Sequence, residues 1–262
     1  MSWTHKYISA SRLDNFAKYL SGYKYNFGDS YEEYSTEDFI DSLLNIQDPN
    51  KFLKANAGTA FHELIEHSNY EQIFTEAKVN DWKIIIDEDL DIEFAIPVVR
   101  EAKIVGEIAG VVISSRVDAM DSVSIRDYKT TSKVDLETYM NSNQWKCYLA
   151  LTGLNKFIYD VFKVNVDEEI KTVTIQEYHK LDLYAYPGMK QEVSNLVRHY
   201  HETLLILEPK IIARVHEYNN QITSLIDCLE ANKSWALSAI NIIDSTINLL
   251  KTKFIRIKGL TE

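Results

Sequence analysis

The chain has 262 residues, of which 45% are hydrophobic and 26% charged, and a formal net charge of −11 at pH 7. That is an ordinary soluble globular composition, long enough for one large domain, or a domain and an extension, with a core that needs no covalent staples. No run approaches the roughly 18 apolar residues of a membrane span. The opening MSWTHKYISASRLDNF lacks the apolar stretch of a signal peptide. Cys147 and Cys228 are too few for a thiolate zinc or iron–sulfur site. The expectation is a cytoplasmic protein with reduced thiols and no membrane partner.

In chain order, SASRLDNFAKYL (9–20) predicts a short helix capped by Ser9 or Ser11, with Leu13, Phe16 and Leu20 on one face. Residues 22–35, rich in Tyr, Gly, Asp and Glu, read as a loop. Ser35 opens STEDFIDSLLNI, where Ser35 and Asp38 approximate a capping box, and Pro49 stops that helix. GTAFHELIEHSNYEQIFTEAK (58–78) predicts the next helix. From Trp82 the pattern becomes short β-branched or alternating runs: WKIII, IEFAI, VVREAKIVG, GVVISSRV and SVSIRDYK. These read as an antiparallel meander. Residues 134–152 return to helix, and 157–164 and 171–179 read as two more strands.

The remainder is helical. Ile211, Val215, Tyr218, Ile222, Leu225 and Leu229 repeat at heptad spacing, as do Ile240, Ile243, Ile247, Leu250, Phe254 and Ile257. A break near Asn232 and Ser234 predicts an antiparallel helical hairpin, packed on the domain or on another subunit. The resulting fold class is α/β (α+β), a central mixed β-sheet flanked by helices plus a C-terminal helical hairpin. The expected units are residues 1–195 and a helical extension over 196–262.

Charge is uneven. Residues 198–262 carry 8 Lys/Arg and 7 Asp/Glu, whereas residues 1–197 carry 20 and 32. Affinity for nucleic acid comes largely from Lys and Arg neutralising phosphates. An acidic chain of this kind must therefore bind DNA through a local groove, weakly, or with a partner's help.

The stretch RVDAMDSVSIRDYKT (116–130) carries the chemistry. It sets Asp118 on one strand-like run, and Asp127 and Lys129 on the next, two apart and so on one face. Two carboxylates suit a hard divalent cation that keeps its waters and a substrate phosphate. A lysine beside them can orient a water and stabilise charge on the phosphorus centre. The bland reading is a solvated hairpin with a surface ion pair. His62 and Glu66 lie four apart on one helix, Gln144 and Tyr148 four apart on another, so each pair can face one site. Gly58 permits close backbone approach.

As an ordered set, SASRLDNF, GTAFHELIE, SRVDAMDSVSIRDYKT and QWKCY resemble the PD-(D/E)XK nuclease superfamily. The likeness is to its RecB-type exonuclease branch, related to CRISPR adaptation and lambda-type exonucleases. It covers roughly residues 8–150, with the two later strands fitting the end of the same fold. It implies a restriction-endonuclease-like core over 1–195 and a Mg²⁺- or Mn²⁺-dependent deoxyribonuclease. His62, Asp118, Asp127 and the Tyr128 carbonyl would hold the metal. Lys129 would position the attacking water, with Asp118 and Asp127, and Glu66 would support His62 or a second metal. Gln144 and Tyr148, and with them Ser11 and Arg12, would contact DNA. Ser115 departs from the glycine common near that position. The four cysteines of cluster-bearing members are missing, so no iron–sulfur cluster is expected. No G-x-x-x-x-G-K-[ST] sequence occurs, which excludes a helicase or ATPase of that type.

The leading expectation is an exonuclease hydrolysing phosphodiester bonds at DNA ends or single strands, in phage or bacterial recombination, repair or defence. The alternatives are a weakly active or inactive nuclease-fold subunit that binds DNA or partner proteins in a larger complex, and an acidic DNA mimic. The C-terminal helices would meet a protein partner or a second copy of the chain.

Overall fold

The structure, a computed structural model, describes residues 8–22, 24–27, 30–46, 52–67, 77–79, 81–87, 90, 99–232 and 240–253. The elements run α1 (Ala10–Leu20), β1 (Lys24–Phe27), β2 (Ser30–Glu33), α2 (Thr36–Leu44), α3 (Phe52–His67), β3 (Ala77–Val79) and β4 (Trp82–Ile86). They continue with β5 (Val99–Ile108), β6 (Val111–Met120), β7 (Ser124–Thr131), α4 (Leu136–Asn141), α5 (Asn143–Thr152), β8 (Lys156–Asp167) and β9 (Thr172–Tyr184). The long α6 (Met189–Asn232) and α7 (Ile240–Thr252) follow.

Seven strands form one mixed sheet in the order β3-β4-β9-β8-β7-β6-β5. β4 pairs parallel with β9 and β7 with β8; the other neighbours are antiparallel. Helices cover both faces, which makes this an α/β fold with a central mixed sheet. β8 shows why. Phe157, Tyr159 and Val161 enter one apolar cluster with α1, α2, α5 and α6, while Phe162 and Val164 enter a second with α3. Alternate residues of a strand point to opposite faces. A strand buried on both faces reads as a near-continuous apolar run.

The α1 start is fixed twice. The Ser9 hydroxyl accepts from Arg12 N at 3.2 Å, and the Ala10 N–H donates to the buried Ser115 hydroxyl at 2.7 Å. Ser115, the departure noted above, thus ties α1 to the sheet beside the Ile8–Ile113 bridge. The capping box of α2 forms with both hydrogen bonds, Ser35 N to Asp38 at 2.9 Å and Asp38 N to Ser35 at 3.1 Å.

Several elements differ from expectation. Residues 22–35 contain the β1–β2 hairpin, consistent with the strand preference of Tyr and Phe. α3 begins at Phe52, so Gly58 is inside the helix; a Cβ there would lie 3.5 Å from the Thr130 hydroxyl. Ala77–Val79 is strand, not helix end. The expected meander is β5–β6–β7, while β4 joins β9 instead, parallel to it. Residues 134–152 form two helices, because Ser142 takes an extended conformation and caps α5. The expected IEFAI strand, and Pro49, Phe254 and Ile257, lie outside the described residues.

α6 begins at Met189, so the expected boundary near residue 195 falls inside it. Met189, Val193, Val197, Tyr200, Leu204, Leu207 and Ile211 recur at helical spacing and are buried in the first cluster. Val215 and Ile222 remain buried further along, and α7 meets α6 with Ile247 buried and Lys251 3.5 Å from Glu230. Two truncations separate these roles. Ending the chain at Asn232 is expected to preserve cooperative melting. Ending it at Leu204 is expected to abolish it, since Leu207 and Ile211 each contribute about 1.5–3 kcal/mol of burial. Circular-dichroism melts of both variants check this. No described helix is long and apolar enough to cross a membrane.

Candidate metal centre

The site is built where two strands part. β6 and β7 pair only at Ala119–Arg126 and Met120–Ile125, next to the turn. That turn is closed by Asp121, whose Oδ1 accepts from Val123 N and Ser124 N at 2.8 and 2.7 Å. Beyond these two pairs β6 follows β5, and β7 follows β8. Asp118 and Asp127 occupy the next positions, at the fork. There the Tyr128 N–H donates to Asp118 Oδ2 at 2.8 Å, so a carboxylate serves where a ladder carbonyl would otherwise stand.

α3 brings His62 to this fork. Ala57, Ala60, Phe61 and Ile65 pack on the sheet, and the Phe61 ring lies 4.8 Å from that of Phe162. His62 Nδ1 stands 3.6 Å from Asp118 Oδ2. Glu101, on β5, completes the group: one ligand atom each from His62, Glu101 and Asp118 lie within 4.8 Å of one another. Sequence reasoning missed Glu101. Its partner across the strands is defined by the turn at Ala109 and Gly110, both with positive φ, as a two-residue hairpin turn requires. Counting back from that turn sets Glu101 opposite Asp118.

Asp127 is 3% exposed. Its Oδ2 lies 2.6 Å from the Lys129 ammonium and has no other polar partner among the described residues, while Oδ1 accepts from Gln144 Nε2 at 3.2 Å. The Tyr148 hydroxyl donates to the Arg116 carbonyl at 2.6 Å. The two α5 residues therefore reach the fork, one through Asp127 and one through the β6 backbone. α5 is itself anchored by Asp14, which accepts from Ser142 Oγ and Asn143 N at 2.9 and 2.7 Å. Asp14 sits within SASRLDNF, yet its anchoring role has no signature in the sequence. Arg12 instead donates to the Leu43 carbonyl at 3.1 Å, between α1 and α2, and Ser11 is exposed with its hydroxyl 3.0 Å from that of Ser9. The Tyr128 ring is buried in the second cluster, and its backbone lies between Asp127 and Lys129. Glu66 falls in the last turn of α3, its side chain outside the described set. Cys147 is buried and Cys228 exposed, and neither is in a disulfide among the described residues.

The electrostatics are those of a site with too much negative charge for its burial. Burial, then the neighbouring Asp127 charge, pushes the Asp118 carboxyl up to about 8, against the Tyr128 N–H bond and Lys129; Glu101 adds to the rise. Burial lowers the His62 pKa, which favours the neutral imidazole a metal requires. Burial would also lower Lys129, but Asp127 and then Asp118 outweigh it and keep the ammonium charged. A mixed imidazole and carboxylate donor set with a buried, under-partnered carboxylate oxygen fits Mg²⁺ or Mn²⁺.

A pH dependence follows. Were Asp118 to bind a cation it would do so ionised, whereas burial and the Asp127 charge push its pKa up to about 8 without one. Mn²⁺ affinity is therefore expected to rise with pH to about 8 and then level, with proton release on binding below that. Calorimetric titration in buffers of different ionisation enthalpy measures both; affinity independent of pH between 6 and 8 would remove Asp118 from the ligand set.

No family model matches this chain, and no curated protein matches it. Among solved structures it is similar to a protein named as a candidate exonuclease from Eubacterium rectale, at 13% identity, covering 79% of this chain and 80% of that one, with a TM-score of 0.39. It is also similar to an alkaline exonuclease from Laribacter hongkongensis, at 13% identity, covering 80% and 92%, with a TM-score of 0.37. Likenesses this remote do not assign a chemistry.

Proposed function

We propose that the chain is a Mg²⁺- or Mn²⁺-dependent deoxyribonuclease of the RecB-type exonuclease branch, hydrolysing phosphodiester bonds at DNA ends or in single strands. The convergence of Asp118, Asp127, Lys129 and His62 at the β6–β7 fork carries this reading. His62, Asp118, Asp127 and the Tyr128 carbonyl would hold the cation, with Glu66 in support. When bound, that cation supplies charge stabilisation at the phosphoryl oxygens and a water of lowered pKa.

The chain's own residues do the rest. Lys129, charged and held by Asp127, orients the attacking water and offers its positive charge to the phosphorane. Gln144 fixes Asp127, and Tyr148 fixes the β6 backbone just before Asp118; both face the scissile phosphate in this reading. Ser11, exposed at the start of α1, lies along the DNA path with Arg12.

A second reading is a weakly active subunit that works within a larger complex. The net charge of −11 favours it, as do the exposed Leu205, Ile206 and Leu225 of α6, Ile206 at 77%. End-labelled single- and double-stranded DNA, and RNA, incubated with protein in Mg²⁺, Mn²⁺ or EDTA separate the two. Metal-dependent cleavage supports the enzyme, and the end released first gives polarity. Metal binding with no cleavage of any substrate would favour the subunit.

A further inference from the structure

We infer that Glu101 is an additional ligand of the cation, and that Arg116, paired with Glu101 when no cation is bound, is released to grip a phosphate of the nucleic-acid substrate. This rests on the nuclease reading and assigns two residues that the sequence did not single out.

The backbone is the first support. Glu101, the third residue of β5, has φ +48°, a conformation that L side chains rarely adopt. The ladder is in register on both sides, Arg100 with Ala119 and Ala102 with Val117, and lapses only at the Glu101–Asp118 position. The distortion thus falls where the carboxylate of Glu101 meets His62 and Asp118. Asp127, 3% exposed, adds a further carboxylate at the fork, and among the described residues its Oδ2 meets only the Lys129 ammonium.

The charges give the second. Three carboxylates gather here, from Glu101, Asp118 and Asp127. Lys129 answers Asp127, and Arg116 answers Glu101 at 3.4 Å. That second pair is long and its arginine side chain is 67% exposed, so it is readily surrendered. A divalent cation between Asp118 and His62 outcompetes it for Glu101. The Arg116 backbone stays fixed through its carbonyl, held by Tyr148. Its side chain shares a face of β6 with Asp118, two residues on. Guanidinium matches phosphate geometry in a bidentate fork that lysine cannot reproduce.

Calorimetric Mn²⁺ titration and Mn²⁺-dependent binding of a phosphorothioate oligonucleotide test the pair in the full chain. Glu101→Gln is expected to weaken Mn²⁺ binding about ten-fold or more, as loss of even an outer partner of a metal does. Its melt in EDTA should stay close to wild type, because the ion pair it breaks with Arg116 is long and its arginine is exposed. Arg116→Ala should leave Mn²⁺ affinity unchanged or tighter yet weaken oligonucleotide binding in Mn²⁺, with Arg116→Lys giving partial rescue. Unchanged Mn²⁺ affinity in Glu101→Gln, beside a loss in Asp118→Asn, overturns this inference alone. Weaker Mn²⁺ binding in Arg116→Ala also overturns it, by making the arginine a structural support. A wild type that binds no Mn²⁺ overturns both this inference and the nuclease reading.

Discussion

Replacing Lys129 with Ala is expected to lower kcat for DNA cleavage by about 10²–10³-fold while Mn²⁺ still binds, since one charged donor to a developing transition state is worth that much. The lysine touches Asp127 at 2.6 Å and lies on its face of β7, beside the proposed ligands. Its loss leaves Asp127, nearly fully buried, without its cation. The variant should therefore be less stable in EDTA, and Mn²⁺ should restore more melting temperature to it than to wild type. KM should move little, because the ammonium acts on the water and the phosphorane rather than on the bound strand. Single-turnover cleavage and melts with and without Mn²⁺ measure these effects. Full activity in the variant would remove Lys129 from the mechanism.

Replacing Arg126 with Ala is expected to destabilise the fold by about 3–5 kcal/mol, the usual consequence of removing one partner of a buried ion pair. Asp160 is 0% exposed. Arg126 Nη1 meets both its oxygens, at 3.2 and 2.9 Å, and the Tyr178 hydroxyl donates to Oδ1 at 2.7 Å. Burial already raises the Asp160 pKa against the opposing pull of Arg126. Without the arginine the folded state holds a protonated Asp160, so its pKa moves further above the unfolded value. The variant's deficit should accordingly be smallest at acid pH, below the unfolded carboxylate pKa, and grow as pH rises through the folded value. Combining Arg126→Met with Asp160→Leu should recover much of the loss, because replacing both charges by apolar groups removes the unpaired ion. Urea melts at about pH 3 and pH 7, on either side of the unfolded carboxylate pKa, test this. A loss below about 1 kcal/mol at neutral pH would mean that water reaches Asp160.

The helix starts were legible because capping is local: Ser9 and the Ser35–Asp38 box need only residues within three positions. Asp118, Asp127 and Lys129 were legible because alternation in a strand fixes faces without knowledge of neighbours. Glu101 was hidden since its place depends on the register of β5 against β6, set by a turn at Ala109–Gly110 that lacks the usual Asn-Gly signal. Asp160 was hidden inside FIYDVF, where a charged residue in an apolar run gives no hint of a partner on β7. The β4 strand resembled its neighbours in the meander, yet pairs with β9, some ninety residues later in sequence. Such long-range choices depend on which faces the helices cover. The heptad spacing from Ile211 to Leu229 showed that a face must be covered but not by what; Ile211, Val215 and Ile222 are buried within this chain, whereas Leu225 is exposed.

The most direct test of the account is where a divalent cation sits. Crystals soaked in Mn²⁺ should show an anomalous difference peak at the β6–β7 fork, bound by Asp118 with His62 and Glu101, and the peak should vanish in Asp118→Asn. A map with no peak at the fork, or with peaks only at surface carboxylates, would contradict the account.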